Sequence, residues 1–196
     1  MISPISSVSI STAAGILNAG GVVVIPTDTV YGIAAHPAQK NAVARICTIN
    51  GRPTGKPIAL LASEPEAVER FGACFPAVAQ RLASLYWPGA LTLVLPCGEG
   101  FEGFRVPAHD GARELIAACG GVLRVTSANL SGEMPATSAV AALKDVGLEA
   151  DLVLDGGVSP GGVPSTVVKV ATDGKLTVIR EGAIRSEDIL KCEEMR

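Results

Sequence analysis

Six short polar segments carry the residue types that could do chemistry, and each lies beside a strand-like run. Pro26-Thr27-Asp28-Thr29-Val30-Tyr31-Gly32 follows the β-branched run Val22–Ile25 and projects hydroxyls from a constrained turn. It reads equally as a turn whose Thr and Asp satisfy their own backbone. Asn50-Gly51-Arg52-Pro53-Thr54-Gly55-Lys56-Pro57 is a stiff loop with two cations. It is not a P-loop: G-x-x-x-G-K is one residue short, and Pro57 replaces the Mg²⁺-binding hydroxyl and removes a backbone donor. A rigid Arg52/Lys56 clamp for phosphate or carboxylate stands there against a solvated basic loop. Thr126-Ser127-Ala128-Asn129-Leu130-Ser131-Gly132 places short donors in a tight turn, either an anion-binding nest or an Asx/Ser turn before the next helix. Phe104-Arg105-Val106-Pro107 puts an Arg in an apolar strand, stem-buried with its head in water or aimed at a carboxylate. Gly161-Gly162-Val163-Pro164-Ser165-Thr166 and Arg180-Glu181-Gly182 complete the set.

Other chemistries lack their residues. There is no G-x-S-x-G elbow, paired-carboxylate pattern or H-E-x-x-H. His36 and His109 have no evident Ser or Cys partner, and His109-Asp110 reads as a helix start. The remaining inventory of Arg, Lys, Ser, Thr and Asn binds anions and positions them. That suits phosphoryl or nucleotidyl transfer, where placement and charge stabilisation do most of the catalysis.

The elements that must hold these segments alternate along the chain. Helices are expected over 12–18 (capped by Ser11), 41–49, 66–71, 77–86, 111–119 and 138–146, with a last one opening at Ser186. Strands are expected over 22–25, 58–62, 91–95, 104–106, 122–126 and 152–154. Two more, 166–170 and 176–180, flank the hairpin signal Asp173-Gly174. Hairpins and crossovers together imply an α/β chain with a mixed sheet, and no linker or repeat divides residues 1–196, so one domain is expected. Open α/β sheets bind ligands at strand ends, where the polar segments lie.

Composition narrows the classes further. A chain of 196 residues can bury about 70% of its unfolded surface. With 48% hydrophobic and 18% charged residues it is not disordered. The net charge of −3 argues against reliance on non-specific phosphate-backbone attraction. An RNA-binding module is the alternative from another class, but four Phe, two Tyr and one Trp make stacking platforms scarce. The five cysteines lack zinc or disulfide spacing and read as thiols in a reducing compartment. No apolar run approaches a membrane span, and residues 1–18 lack the cations of a secretory signal. A cytoplasmic protein with no membrane association is expected.

Ile25-Pro-Thr-Asp-Thr-Val-Tyr-Gly32, Gly51-Arg-Pro53, Trp87-Pro-Gly89, Arg105-Val-Pro107, Ser127-Ala-Asn129 and Ser165-Thr-Val-Val168 occur in the order and at about the spacing of the YrdC family. Each is weak by itself; the ordered set is specific, and the resemblance runs from about Ser11 to Gly182. It implies an α/β twist around a mixed twisted sheet with a large concave cavity. It also implies L-threonylcarbamoyladenylate synthase activity: L-threonine, bicarbonate and ATP give threonylcarbamoyl-AMP and pyrophosphate. The product would serve a downstream tRNA threonylcarbamoyl transferase complex, with at most a weak direct tRNA contact. Within this resemblance Arg52, Ser127 and Asn129 match nucleotide-phosphate residues, Lys56 a polar position of the same loop, and Arg180 a nucleotide-side contact. Thr29, Arg105 and Ser165 match the threonine side, with Arg105 gripping the carboxylate. Mg²⁺ would be held mainly by ATP phosphates, not by a protein site, and catalysis would be positional, through Arg52 and Lys56. Two departures are visible: Asn50 stands where the family has a lysine, and Leu61 where longer members have a histidine. A carbamoyl-transferring relative of the same fold is the runner-up, for which Asn50 is the strongest argument.

Overall fold

The computed structural model describes residues 1–51 and 57–194. Along the chain run β1 (Ile2–Pro4), α1 (Ser7–Asn18), β2 (Val22–Ile25), β3 (Gly32–Ala35), α2 (Lys40–Asn50), β4 (Leu60–Ala62), α3 (Pro65–Arg70) and α4 (Ala77–Tyr86). Then follow β5 (Leu91–Cys97), β6 (Gly100–Arg105), α5 (Asp110–Ala118), β7 (Val122–Ser127), α6 (Ala139–Ala142), β8 (Leu152–Asp155), β9 (Thr166–Val170), β10 (Leu176–Arg180) and α7 (Ser186–Glu194). One mixed sheet holds the strands in the order β1-β8-β2-β3-β7-β4-β6-β5-β9-β10. The pairs β1–β8, β2–β8, β4–β6 and β5–β9 are parallel. The other neighbours are antiparallel.

Several boundaries differ from the sequence expectation for identifiable reasons. Helix α1 starts a turn before Ser11, because Ser6 and Ser9 form a capping box: the Ser6 hydroxyl accepts from the Ser9 N–H at 3.2 Å, and Ser9 Oγ accepts from the Ser6 N–H at 2.9 Å. Strand β3 is Gly-Ile-Ala-Ala, poor in β-branched residues, and its extended form is imposed by pairing with β2 and β7. Strand β6 reaches back to Gly100, because Cys97 and Gly100 close a hairpin over Gly98 (φ 57°) and Glu99. The helix expected over 138–146 is α6 followed by a π-helical turn, Leu143–Gly147. The Asp173-Gly174 hairpin forms between β9 and β10, with Gly174 at φ 86°.

Side-chain alternation divides the sheet into a closed half and a half-open one. In the first half both faces are covered: α1 and α5 pack over Val23, Ile25, Ala34 and Leu123, while α2 and α6 pack over Val22, Val24, Ile33 and Val153. In the second half α3, α4 and α7 cover Leu91, Leu93, Leu95, Val168 and Val170, all buried. The opposite-face residues Val94, Gly103, Val167 and Lys169 are half-buried. Successive strand residues point to opposite faces, so this pattern leaves a shallow floor on one side of β6, β5 and β9. A Cβ added at Gly103 would meet Ala59 Cβ at 3.5 Å and Thr92 Cγ2 at 3.7 Å, so small residues keep that floor low. The five cysteines are free thiols. Among the described residues no helix is long and apolar enough to cross a membrane.

Candidate active site

Arg105 ends β6 on the open side of the sheet, in register with Leu61 of β4. It is 6% exposed, so its charge needs partners. The guanidinium donates to three: Nε to the Gly89 carbonyl at 2.9 Å, one terminal nitrogen to Thr29 Oγ1 at 2.8 Å, and the other to Asp28 Oδ1 at 2.5 Å. Asp28 Oδ1 also accepts the Ala108 N–H at 3.0 Å. Burial pushes the Arg105 pKa down, and the Asp28 carboxylate pulls it back up. Guanidinium has five N–H donors, so one on each terminal nitrogen is left after these three bonds, a fork that can take a carboxylate bidentately.

The turn after β2 supplies the other half of this arrangement. Thr27 Oγ1 donates its proton to the Val30 carbonyl at 2.7 Å. The 3.0 Å contact between the Thr27 and Thr29 hydroxyls is therefore a bond donated by Thr29. A relay runs from Arg105 to Thr29 to Thr27 to the backbone, fixing the Thr29 hydroxyl. Its backbone is held from the far side, where the Gly162 N–H donates to the Thr29 carbonyl at 2.9 Å and Ser159 Oγ donates to the Thr27 carbonyl at 2.8 Å. A Cβ at Gly161 would lie 2.8 Å from the Asp28 carbonyl oxygen, so glycine permits this approach.

Ser165, just before β9, is buried, and its hydroxyl is 2.8 Å from Thr92 Oγ1 of β5. Arg180, ending β10, donates to the Ser165 carbonyl at 2.7 Å and lies near enough to Arg105 to lower its pKa. Burial lowers the Arg180 pKa as well. Two guanidiniums against one carboxylate leave a local excess of one positive charge, matching a single anionic group.

A second cluster gathers at the end of β7. Ser127 is half-buried, and its side chain makes no hydrogen bond among the described residues. Asn129 is 5% exposed and donates from Nδ2 to the Leu130 carbonyl at 2.8 Å and the Glu133 carbonyl at 2.9 Å. Asn50, the last residue of α2 and 3% exposed, turns inward and donates to the Ser127 carbonyl at 3.0 Å and the Asn129 carbonyl at 2.5 Å. Its own carbonyl accepts the Ser131 N–H at 2.7 Å. The register Leu123–Leu61–Arg105 puts Ser127 on the same face of the sheet as Arg105. The two are separated by two strand spacings, about 10 Å, and by four residues, about 13 Å, along the strand direction.

Thr29, Arg105, Ser165 and Arg180 thus come together from four distant segments, and Ser127 and Asn129 form the neighbouring cluster. Arg52 and Lys56 lie outside the described residues. Asp28, Thr27, Thr92 and the Gly89 carbonyl belong to the site but were legible only as turn or strand residues. His109 caps α5, its Nδ1 accepting the Ala112 N–H at 3.2 Å, and it lines a hollow of about 170 Å³ with Asp28 and Ser159. Burial lowers its pKa. A larger hollow, about 450 Å³, between His36, Phe71, Cys119 and Arg124 contains none of these site residues. Leu61 is 5% exposed and packs into the core under α1 and α5, giving the Arg105 side of the sheet an apolar neighbour. Among the described residues no group of His, Cys, Asp and Glu is disposed to hold a metal ion.

Comparison with known proteins shows the family and the fold. The Sua5/YciO/YrdC family model, described as telomere recombination, matches residues 15–182. The threonylcarbamoyl-AMP synthase of Pyrococcus abyssi is 36% identical over 192 residues, covering 93% of this chain and 56% of that protein. The crystal structure of P. abyssi Sua5 complexed with L-threonine superposes with a TM-score of 0.91 at 33% identity, covering 98% of this chain and 60% of that one. E. coli YciO gives 0.83 at 29% identity, covering 93% of this chain and 95% of that one. The chain spans little more than half the length of the first curated relatives it matches.

Proposed function

Because the chain belongs to the Sua5/YciO/YrdC family, we propose that it is an L-threonylcarbamoyladenylate synthase. The observation that carries this reading is the buried Arg105 guanidinium beside Thr29, with two donors left for a carboxylate. L-threonine binds by its carboxylate to Arg105, near the hydroxyls of Thr29 and Ser165. Its amine attacks bicarbonate, water leaves, and a carbamate forms. A carbamate oxygen then attacks the α-phosphorus of ATP, the α–β phosphoanhydride breaks, and pyrophosphate departs. Mg²⁺ enters as part of the substrate MgATP, bound to phosphate oxygens and its own waters. Arg52 and Lys56 neutralise phosphate charge, with Ser127, Asn129 and Arg180 on the nucleotide side. No covalent enzyme intermediate is needed, so placement and electrostatics supply the catalysis. The product goes to a tRNA threonylcarbamoyl transferase complex in the cytoplasm.

The test is pyrophosphate release from MgATP with L-threonine and bicarbonate supplied together and singly. Release that needs both, with threonylcarbamoyl-AMP detected by mass, is expected; release indifferent to threonine overturns the reading. The inward-turned Asn50 favours one second reading, carbamoyl transfer by a relative of the same fold, because it leaves the phosphate side a cation short of the family pattern. Turnover of carbamoyl phosphate in place of threonine and bicarbonate would support that alternative.

A further inference from the structure

The Ser127–Asn129 turn is set by two amides whose nitrogens are already committed. Asn50 Nδ2 bonds the Ser127 and Asn129 carbonyls, and Asn129 Nδ2 bonds the Leu130 and Glu133 carbonyls. These contacts fix the orientation of the Asn129 amide: reversed, it would set its oxygen against two carbonyl oxygens. Asn129 Oδ1 is consequently turned the other way, and it is buried with no hydrogen-bond partner among the described residues. Buried polar atoms are nearly always paired, and an orphan among them asks for a ligand, a water or a strain that explains it. This one is purely an acceptor. A deprotonated phosphate has no proton to give it, so Asn129 in this orientation is mismatched to the phosphates.

We propose that Asn129 Oδ1 accepts a hydrogen bond from a donor group of the nucleoside, a ribose hydroxyl or the adenine amino group, and that Asn50 positions it by pinning the turn. The inference rests on the ATP reading above and refines it. The turn then reads the nucleoside, and phosphate charge is met elsewhere. Ser127, whose hydroxyl both donates and accepts, remains able to face either part of the nucleotide. Asn50, although it occupies the position of a phosphate-binding lysine in the family, contributes placement in place of charge.

The experiment is calorimetric titration of the full chain with MgATP and three analogues that delete one donor each: 2′-deoxyATP, 3′-deoxyATP and purine riboside triphosphate, which lacks the amino group. One analogue is expected to bind about tenfold or more weakly than ATP, because it leaves the buried acceptor unpaired; which one identifies the donor. In Asn129→Ala, ATP affinity should fall while magnesium pyrophosphate binding is unchanged. If all three analogues bind the wild-type chain as tightly as ATP, the proposal is overturned and an ordered water explains the orphan. If pyrophosphate affinity falls with ATP affinity in a folded Asn129→Ala variant, the phosphate assignment wins instead. Should the variant misfold, the wild-type analogue series decides by itself. Failure of the wild-type chain to bind MgATP at all would defeat the parent reading, and this inference with it, on a different readout.

Discussion

The Asp28 carboxylate lies 2.5 Å from a terminal nitrogen of Arg105, with the two side chains only 14% and 7% exposed. Seventy-seven residues of chain separate them, so this pair ties the turn after β2 to the end of β6. It also orients the guanidinium that the proposed reaction needs. Deleting one partner leaves the other charge buried and unpaired, which typically costs about 3–5 kcal/mol. Asp28→Ala should therefore lower stability by about 3 kcal/mol, read as a shifted urea midpoint. Asp28→Asn keeps an acceptor and should lose less stability while raising the KM for threonine more than it lowers kcat. An Asp28→Ala midpoint equal to the wild type would remove the pair from the account.

Backbone crowding at Gly182 makes a second prediction. A Cβ there would collide with the Pro164 carbonyl oxygen and lie 2.6 Å from the Ser165 carbonyl carbon. Neither is the end of a flexible side chain, so Gly182→Ala must push the Ser165 segment away from the end of β10. A loss of about 1–3 kcal/mol is expected, with weaker threonine binding because Ser165 moves. Gly100→Ala is the control: apart from its chain neighbours, no atom of the described residues lies within 4 Å of its added Cβ, and the effect should stay within about 0.5 kcal/mol. Thermal melts of the two variants decide between crowding and a general glycine effect.

His109 makes stability fall on acidification. Burial holds its folded pKa below the unfolded value of about 6.5, outweighing the pull of the Asp28 and Asp110 carboxylates. The unfolded state therefore takes up the proton first. The contribution is complete above the unfolded pKa and is lost as pH falls through it toward the lower folded value. Protonation also removes the Nδ1 lone pair that caps α5. His109→Asn retains a capping acceptor without titrating, so its urea midpoint should change less than the wild type's between about pH 7.5 and about pH 5.5. Parallel pH dependences in the two proteins would contradict this.

Asn50 offers a fourth test. Asn50→Ala strips the Ser127 and Asn129 carbonyls of their donor, at a cost of about 1–3 kcal/mol. ATP affinity should fall and threonine affinity should not, because the loss is confined to the β7 turn. Equal losses for both ligands would indicate a global disturbance.

Much of the fold was legible because it is written in local patterns. Continuous β-branched residues marked β2, Asp173-Gly174 marked the last hairpin, and α4 fell over Ala77–Tyr86 as the periodicity indicates. Strand β3 was not, since Gly-Ile-Ala-Ala has no strand signature and becomes one by pairing on both sides. The site divides the same way. Arg105 was conspicuous as a charge in an apolar strand. Asn50 was visible as a missing cation, but its inward direction depends on carbonyls 77 and 79 residues away. Asp28 was likewise readable as a turn residue satisfying its own backbone, and its true partner is remote.

The proposed activity stands on one recognition event, the capture of an amino-acid carboxylate by the Arg105 guanidinium. Calorimetry of the wild-type chain with L-threonine and with L-threoninamide, which keeps the side chain and amine but lacks the carboxylate, tests it without disturbing the buried ion pair. Threoninamide should bind about ten- to a hundredfold more weakly, the usual worth of a charge-assisted hydrogen-bond pair. Folded Arg105→Gln should bind both ligands with the same weak affinity. Equal affinity of the wild-type chain for threonine and its amide would contradict the account.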